Sequence, residues 1–384
     1  MEKNSKAPSS TDSFGPEYVI RIHDPKIGMT GFLVIHNTVL GPGKGGIRMT
    51  KSVSAEEVLR LATTMTWKNS LAGIPFGGAK AGIVWPGGSD ELKKQFIQSF
   101  AKSIKPLMPK KYIAGPDVNT GEREMQWFVE ATGNWITATG KPANYCAIVA
   151  GKKTKKCGLP HELGSTGFGV VRSAVVAAEL AKINIKGATV AIHGFGNVGT
   201  FAYKFLTELG AKVVALADSV TTVYSPTGFD QAKVEKAIKE KQRLANVFPK
   251  LIIPNEKFWS LPVDILIPAS VTDVINDSNK NSIRAKVIVE AGNIPMREPI
   301  ENELWKKGIL IVPDFIANAG GVISSYAEYK GYTPKQMFKM VEEKITESTR
   351  AVLKESLARK ENPRITGMKL AMAKVQKHSI KKGV

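Results

Sequence analysis

The pattern of apolar and polar positions predicts two regions of different texture, with the change near residue 164. In the first region, apolar runs and amphipathic segments are separated by glycine-rich turns. The elements predicted here are a strand at 31–40, a helix from Ser54 to about Leu71, a short strand after Lys80, a helix from Ser89 to about Lys105, a strand at 112–114 and a helix from about Glu122. Segment 141–165 is rich in lysine and has no periodicity, so we expect an exposed loop and a domain boundary there.

In the second region, short apolar runs alternate with helix-compatible stretches. The predicted strands are 189–193, 212–218, 263–268, 287–290 and 309–312, and the clearest helices are 167–182 and 200–209. This alternation is typical of a parallel sheet with crossover helices. From Lys330 onward the chain is helical in composition and heavily charged. The sequence therefore predicts an α/β protein of two domains.

Composition supports a globular protein. Of the 384 residues, 43% are hydrophobic and 23% are charged, which excludes disordered and fibrous classes. No stretch approaches the roughly 20 apolar residues of a spanning helix, and the N-terminus has no apolar signal region, so we expect a cytoplasmic protein. The two cysteines, Cys146 and Cys157, cannot supply a disulfide framework and suit a reducing compartment. With His161 they make three soft ligands where structural zinc takes four, so no metal is expected.

The net charge of +20, from 54 basic and 34 acidic residues, raises the possibility of a nucleic-acid partner. Such a protein gathers its basic residues on one face or interleaves them with aromatics. Here the lysines are scattered, with dense runs only at 152–156 and 374–382. We therefore expect neither a nucleic-acid nor a membrane partner, and a basic nucleic-acid-binding protein remains the alternative from another class.

A dinucleotide fingerprint follows the predicted strand 189–193. Its residues are Gly194, Phe195, Gly196, Asn197, Val198 and Gly199. A helix comes next, and Asp218 ends the following strand 19 positions past the last glycine, which completes the expected context. The glycines allow a tight turn, close approach of a pyrophosphate and close helix packing, while the helix N-terminus favours the phosphates. Asp218 favours NAD through the ribose hydroxyls, but a nearby basic residue would suit NADP, so both cofactors stay open.

Three lysines in the first region have apolar or glycine neighbours, which suggests that they are sheltered. Lys44 and Lys80 lie in glycine-rich runs, and Lys68 lies on the predicted helix 54–71. A sheltered lysine pairs with an anion or loses its proton. Asp117 follows the short strand 112–114. The alternatives are a snorkelling Lys68 and an Asp117 that only caps a helix or forms an Asx turn. Taken with the dinucleotide-binding region downstream, the four residues describe a carboxylate-binding pocket with an acid/base pair.

The chain resembles the family of amino-acid dehydrogenases that deaminate glutamate, leucine, phenylalanine or valine. The resemblance runs from about Pro16 to the final helix and rests on the motifs GPGKGGIRM, TMTWKNSLAGIPFGGAKAGI, PDVNT, HGFGNVG and PDFIANAGGVISS. It implies a substrate-binding and oligomerisation domain over 1–163, completed by a C-terminal helix at about 357–384. A Rossmann-like NAD(P)-binding domain would occupy 164–356, with the active site in the cleft between the two domains.

The resemblance also implies a role for each candidate residue. Lys68 would hold the substrate α-carboxylate, Lys80 would polarise the 2-oxo group and activate water, and Asp117 would shuttle a proton to and from the amino nitrogen. Lys44 and Ser325 would bind a side-chain carboxylate, which favours glutamate because a buried ammonium rejects an aliphatic side chain. Further cofactor contacts would come from Thr166, Asn293 and Asn318.

The resulting expectation is an NAD(P)-dependent enzyme that reversibly converts glutamate to 2-oxoglutarate and ammonium and assembles as a homohexamer. Hydride would pass between the substrate Cα and the nicotinamide, and domain closure would exclude water. A leucine or valine dehydrogenase is the alternative in the same class, and an inactive regulatory paralogue is a further one. The strand at 31–40 and the compact length are closer to the branched-chain enzymes, and the loop 144–163 and the order Ala-Gly-Asn that ends at Asn293 also depart from the glutamate enzymes.

Overall fold

A computed structural model describes residues 12–149 and 151–382 of the chain. They form two compact units. Unit 1 contains the described residues up to Leu163 together with 322–340 and those from Met368 onward, and unit 2 contains 164–321 and 341–367. The expected domains change at the same residue, 163, but they assign to the first domain only a C-terminal helix from about residue 357. The structure instead groups 322–340 with unit 1.

Unit 1 is built on a mixed five-stranded sheet. Its strands are β1 (Tyr18–Asp24), β2 (Met29–Asn37), β3 (Gly43–Thr50), β4 (Gly77–Val84) and β5 (Tyr112–Gly115), in the order β1-β2-β4-β3-β5. Strand β2 runs antiparallel to both of its neighbours, β1 and β4, whereas β3 runs parallel to both β4 and β5. Because β3 and β5 are parallel, the C-terminal part of β3, which contains Arg48, lies toward the end of β5, which Asp117 follows.

Helices cover both faces of this sheet: α1 (Ala55–Leu71) on one face, α2 (Asp90–Ile104) and α3 (Glu122–Thr132) on the other. The predicted caps form, since the hydroxyl of Ser54 accepts the Glu57 N–H at 3.2 Å and that of Ser89 accepts the Leu92 N–H at 3.2 Å. The α2/α3 side has a core of aliphatic and aromatic side chains that includes Phe96, Phe100 and Phe128.

The expectation of an irregular loop over 141–165 is wrong. The chain there forms a hairpin of β6 (Cys146–Val149) and β7 (Lys152–Cys157), and a disulfide joins Cys146 to Cys157. Its strands escape detection because side chains such as that of Ile148 are exposed, so burial does not impose a period-two pattern. We refer to this bond as the hairpin disulfide.

Unit 2 contains a seven-stranded sheet with the predicted parallel core. The strands of this sheet are β8 (Thr189–His193), β9 (Lys212–Ala217), β10 (Thr222–Tyr224), β11 (Ile252–Ile253), β12 (Ile265–Pro268), β13 (Val287–Val289) and β14 (Leu310–Val312). The helices between and around them are α4 (Ser165–Leu180), α5 (Asn197–Glu208), α6 (Gln231–Lys239), α7 (Leu244–Val247), α8 (Glu298–Lys306) and α9 (Asp314–Ala317). The strand order is β11-β10-β9-β8-β12-β13-β14, and all neighbours from β9 to β14 are parallel. The sheet order reverses beside β8, which is where doubly wound sheets bind dinucleotides.

The rest of the chain is helical, as its composition predicts. The helices are α10 (Gly320–Lys330), α11 (Pro334–Arg359) and α12 (Pro363–Lys382). Short 3₁₀ turns occur at Lys105–Leu107, Trp135–Thr137, His161–Leu163, Pro249–Leu251, Asn255–Ser260 and Lys280–Ser282. In the described part of the chain, none of the helices combines the length and apolar character needed to cross a bilayer.

Candidate active site

Glycines let the elements of unit 1 approach one another closely. A Cβ on Gly78 would lie 2.0 Å from the Thr66 hydroxyl of α1, and a Cβ on Gly46 would lie 2.4 Å from the Pro116 carbonyl oxygen. Both contacts are too short for any side chain, so α1 can lie directly on β4 and the loop after β5 directly on β3. The dense glycines around the candidate lysines thus allow backbone elements to pack against each other.

This packing brings Lys80 and Asp117 together. Lys80 lies on β4 and Asp117 follows β5, and the Lys80 Nζ atom is 2.6 Å from the Asp117 Oδ2 atom. Arg48, at the end of β3, places its Nε atom 3.4 Å from the same oxygen and also pairs with Glu57 at 2.6 Å. Burial alone would raise the pKa of Asp117, but Lys80 and Arg48 outweigh it and hold that pKa below its ordinary value.

The backbone around Asp117 forms a tight turn, in which the Thr120 N–H donates to the Asp117 carbonyl at 3.0 Å. The Asp117 N–H donates to the Thr120 hydroxyl at 2.9 Å, and that hydroxyl donates to the Ile47 carbonyl at 2.7 Å. The N-cap of α3 is Gly121, so Asp117 is not the helix cap that its local sequence allows. The hydrogen bonds of this turn use the Asp117 N–H and the Thr120 hydroxyl, while the Asp117 carboxylate pairs with Lys80.

Lys44 is buried at the start of β3 with only 3% of its surface exposed. Its ammonium donates to the Ala114 carbonyl at 2.8 Å and lies over Gly115, where a Cβ would come within 2.3 Å of Nζ. Burial lowers the pKa of Lys44 to about 7. Glu328 opposes this change, and Lys141 and Lys80 add to it. Lys44 is thus a buried cation whose charge depends on its immediate neighbours.

The other two predicted substrate-binding residues also lie in unit 1. Lys68 is half-buried in the last turn of α1, between the buried Trp67 and Asn69. Ser325 lies on α10 and is 9% exposed. All five candidate substrate and catalytic residues therefore belong to a single compact unit.

In unit 2, the fingerprint residues form a tight strand-turn-helix. Gly194 has φ +112°, and a Cβ on Gly199 would lie 1.8 Å from the Gly194 carbonyl oxygen, so turn and helix packing both require glycine. A Cβ on Gly196 would meet nothing within 4 Å, so that position opens onto free space. The first turn of α5, which starts at Asn197 and includes Val198, has no side-chain cap. With Phe195 in the turn, the loop suits a pyrophosphate.

Of the remaining predicted cofactor residues, Asp218, Asn293 and Asn318 lie in segments that follow parallel strands of the sheet, and Thr166 lies at the start of α4. Asp218 follows β9, and its carboxylate accepts the N–H groups of Val220, Thr221 and Leu244 at 2.8–3.2 Å. Asn293 is exposed, and its side-chain oxygen accepts from Asn318 at 3.3 Å. Thr166 is half-buried in the first turn of α4.

The sequence was compared with known families and proteins. It matches Glutamate/Leucine/Phenylalanine/Valine dehydrogenase over residues 158–383 and the dimerisation domain of the same Glu/Leu/Phe/Val dehydrogenases over residues 16–134. The chain belongs to the Glu/Leu/Phe/Val dehydrogenase family. It is therefore an α/β, two-domain amino-acid dehydrogenase with a Rossmann-like domain, and the expected family and fold class are confirmed.

Similar proteins carry more specific names. The glutamate dehydrogenase of Aeropyrum pernix is 38% identical over 83% of this chain and 77% of its own length. The NADP-specific glutamate dehydrogenase of Saccharolobus shibatae is 36% identical over 82% and 75%, and the NAD-specific glutamate dehydrogenase of Staphylococcus aureus is 34% identical over 84% and 77%. A hetero-hexameric glutamate dehydrogenase from Thermus thermophilus, in a leucine-bound form, superposes with a TM-score of 0.81 at 25% identity, covering 96% of this chain and 90% of the other.

Within the Glu/Leu/Phe/Val dehydrogenase fold, unit 1 holds polar residues that the sequence pattern alone does not single out. Arg48 shares the strand face of Lys44, four residues away, and that even spacing is a usable signal. Thr139 is fully buried, its hydroxyl has no hydrogen-bond partner among the described residues, and it lies 3.8 Å from a Cβ built on Gly115, beside Lys44. Lys141 and Glu328 form a buried ion pair. No periodic pattern in the sequence singles out Thr139, Lys141 or Glu328 as members of the candidate site.

Proposed function

We propose that this protein is an NAD(P)-dependent glutamate dehydrogenase, which reversibly converts L-glutamate, water and the oxidised cofactor to 2-oxoglutarate, ammonium and the reduced cofactor. The observation that carries the proposal is the buried Lys44 ammonium in unit 1. A lysine with 3% exposure is stabilised by an anion, and a substrate side-chain carboxylate supplies one. The glutamate dehydrogenases named among its relatives support the same choice.

Recognition of the substrate side chain rests on Lys44 and Ser325. A leucine or valine side chain beside Lys44 would leave the ammonium without a counter-charge, which is the energetic basis for rejecting it. The orphan hydroxyl of Thr139 lies beside Lys44 and is a suitable additional donor to a carboxylate oxygen. Lys68, on α1, would hold the α-carboxylate.

Acid/base chemistry rests on Lys80 and Asp117. Asp117, an ionised carboxylate held by two cations, accepts a proton from the substrate ammonium so that the nitrogen lone pair can form the imine. Lys80 assists the water that adds to the imine carbon and polarises the oxygen that becomes the 2-oxo group. Asp117 then returns its proton to the nitrogen of the departing amine. The 2.6 Å Lys80–Asp117 contact supports such a coupled pair.

The cofactor is NAD or NADP, and the fingerprint in unit 2 has the space it needs. The open position of Gly196 and the uncapped first turn of α5 fit a pyrophosphate at Gly194 to Gly199. When bound, the nicotinamide accepts the hydride from the substrate Cα. Asp218, Thr166, Asn293 and Asn318 are our candidates for the remaining contacts.

We further propose a homohexamer in the cytoplasm. Support for the assembly is the hexameric state in the name of the Thermus thermophilus protein and the match of residues 16–134 to a dimerisation domain. We propose the cytoplasm because the reaction converts small metabolites. The hairpin disulfide removes the argument that two unpaired cysteines would have given for a reducing compartment. Size-exclusion chromatography with light scattering tests the assembly.

Steady-state turnover of glutamate and leucine, each with NAD and with NADP, tests the function. We expect kcat/KM for glutamate to exceed that for leucine by about 10²-fold or more, because bound leucine would leave the buried charge of Lys44 unpaired. Lys44→Leu should reverse the preference. A wild-type enzyme that prefers leucine would make it a branched-chain dehydrogenase, and turnover of neither substrate would refute the proposal.

A further inference from the structure

Glu328 is a buried carboxylate that connects three segments of unit 1. It lies on α10, and its Oε2 atom accepts the backbone N–H groups of Gly140 and Leu159, both at 2.8 Å. Its Oε1 atom is 2.6 Å from the Lys141 Nζ atom, and the two side chains are 0% and 1% exposed. A carboxylate removed from water is stable only with such donors around it.

Lys141 has its own cage and is not available to a ligand. Its ammonium donates to the carbonyl oxygens of Ala138 and, at 3.2 Å, of Trp135. It also lies 3.9 Å from the centroid of the Trp135 indole ring, in cation–π geometry. With Glu328 as counter-ion, Lys141 is electrically balanced where it stands.

Lys44 is the second buried ammonium acted on by Glu328. Of its three N–H bonds, the described residues accept one, through the Ala114 carbonyl at 2.8 Å. Two ammonium groups and one carboxylate leave one positive charge in excess. Ser325 lies on α10 one turn before Glu328, so both side chains lie on the same side of that helix.

We propose that Glu328 is a positioning residue for substrate recognition, which holds and neutralises Lys141 so that the charge of Lys44 alone remains for the side-chain carboxylate of the substrate. This inference rests on the proposed glutamate dehydrogenase function. It assigns Glu328 no contact with substrate. Its effect passes through the field at Lys44 and through the two backbone N–H groups that fix the loops at Gly140 and Leu159.

The electrostatics distinguish this role from a purely structural one. Glu328 favours the charged form of Lys44, whereas Lys141 and Lys80 disfavour it. His161, which is exposed, also interacts with Lys44, and desolvation and the Lys44 charge lower the His161 pKa, which favours the neutral imidazole. Loss of the carboxylate at 328 and loss of the ammonium at 141 therefore move the Lys44 pKa in opposite directions, although both changes disturb the same ion pair.

The test is calorimetric binding of glutarate to the full-length protein between pH 6 and 9. Glutarate carries two carboxylates and no reacting group, and it is mainly the dianion over this range. In Glu328→Gln we expect the pH at which affinity declines to fall by roughly one unit, and in Lys141→Met to rise by roughly one unit. Glu328→Asp, which keeps the charge, should retain the wild-type midpoint.

Glu124→Gln is the matched control, because Glu124 is also buried and holds a lysine, Lys93, at 3.0 Å. It should leave the midpoint unchanged. Shifts of both pair variants in the same direction, or an unmoved midpoint in Lys141→Met, would overturn the inference even if Glu328→Gln does not fold. Absence of glutamate turnover by the wild-type enzyme would instead refute the proposed function, so the two failures are distinguishable.

Discussion

Replacing Lys44 by methionine should make the protein more stable at neutral and acidic pH while impairing glutamate recognition. Burial lowers the pKa of Lys44 from 10.5 to about 7, so folding without substrate disfavours the charged ammonium. The difference of about 3.5 pKa units corresponds to roughly 5 kcal/mol. Because Lys44 is 3% exposed, solvent screening reduces this value little.

The sign follows from proton binding. Between pH 7 and 10.5 the unfolded state binds more protons than the folded state, so the free energy of unfolding rises with pH in this window. The penalty is fully present below pH 7 and is lost by about pH 10.5. Methionine has no such penalty. It loses the hydrogen bond to Ala114, about 1 kcal/mol, but the Ala114 carbonyl still accepts the Thr139 N–H at 3.0 Å.

We therefore expect Lys44→Met to raise the free energy of unfolding by about 2–4 kcal/mol at pH 6, with the gain shrinking toward pH 10. Urea unfolding without substrate, at several pH values, measures it. Lys51→Met, which removes an exposed lysine, should change stability by less than about 0.5 kcal/mol at every pH. A Lys44→Met protein that is less stable than wild type at pH 6, or a gain independent of pH, would refute the reasoning.

Three further predictions concern the catalytic pair, the fingerprint and the hairpin. Lys80→Ala and Asp117→Asn should each reduce kcat by about 10²-fold or more while NAD(P)H fluorescence titration shows retained cofactor binding, and near-wild-type turnover would exclude the assigned roles. Gly199→Ala should lower the melting temperature, because its Cβ would lie 1.8 Å from a carbonyl oxygen. Gly196→Ala should keep the wild-type melting temperature, because a Cβ there would meet no atom within 4 Å, and should weaken only cofactor binding. Reducing the hairpin disulfide should cost about 3 kcal/mol of stability at most, and alkylation before and after reduction, read by mass spectrometry, should label zero and then two thiols.

Much of the fold follows from local sequence, because its signals are local. Caps such as Ser54 and Ser89 and the apolar runs of the parallel sheet mark elements that the structure contains within a few residues. The hairpin over 146–157 has no comparable signal, since its strands are exposed and lysine-rich. Its register pairs Cys146 with Cys157, a contact that two cysteines in a sequence permit but do not require.

The candidate site likewise contains some residues that local sequence predicts and others that it does not. Lys44, Lys80 and Asp117 stand out because glycines or a strand end surround them, and the structure brings Lys80 and Asp117 to 2.6 Å. The partnership of Lys141 with Glu328 spans 187 positions of sequence, and neither residue has a distinctive neighbourhood. Contacts of that kind depend on tertiary packing, so no single-sequence pattern predicts them.

The net charge of +20 says little about the partners of this protein, whereas its few buried charges say more. Among the described residues, the lysines classed as buried are Lys44, Lys80 and Lys141, and all three lie in unit 1. Asp117 balances Lys80 and Glu328 balances Lys141, each at 2.6 Å, which leaves Lys44 as the cation without an ionic partner in that group. Folding tolerates one unpaired ammonium at a cost of several kcal/mol, and an anionic substrate removes that cost on binding. The excess buried charge is thus the specificity element that we propose for a dicarboxylate, independent of the solvated lysines on the surface.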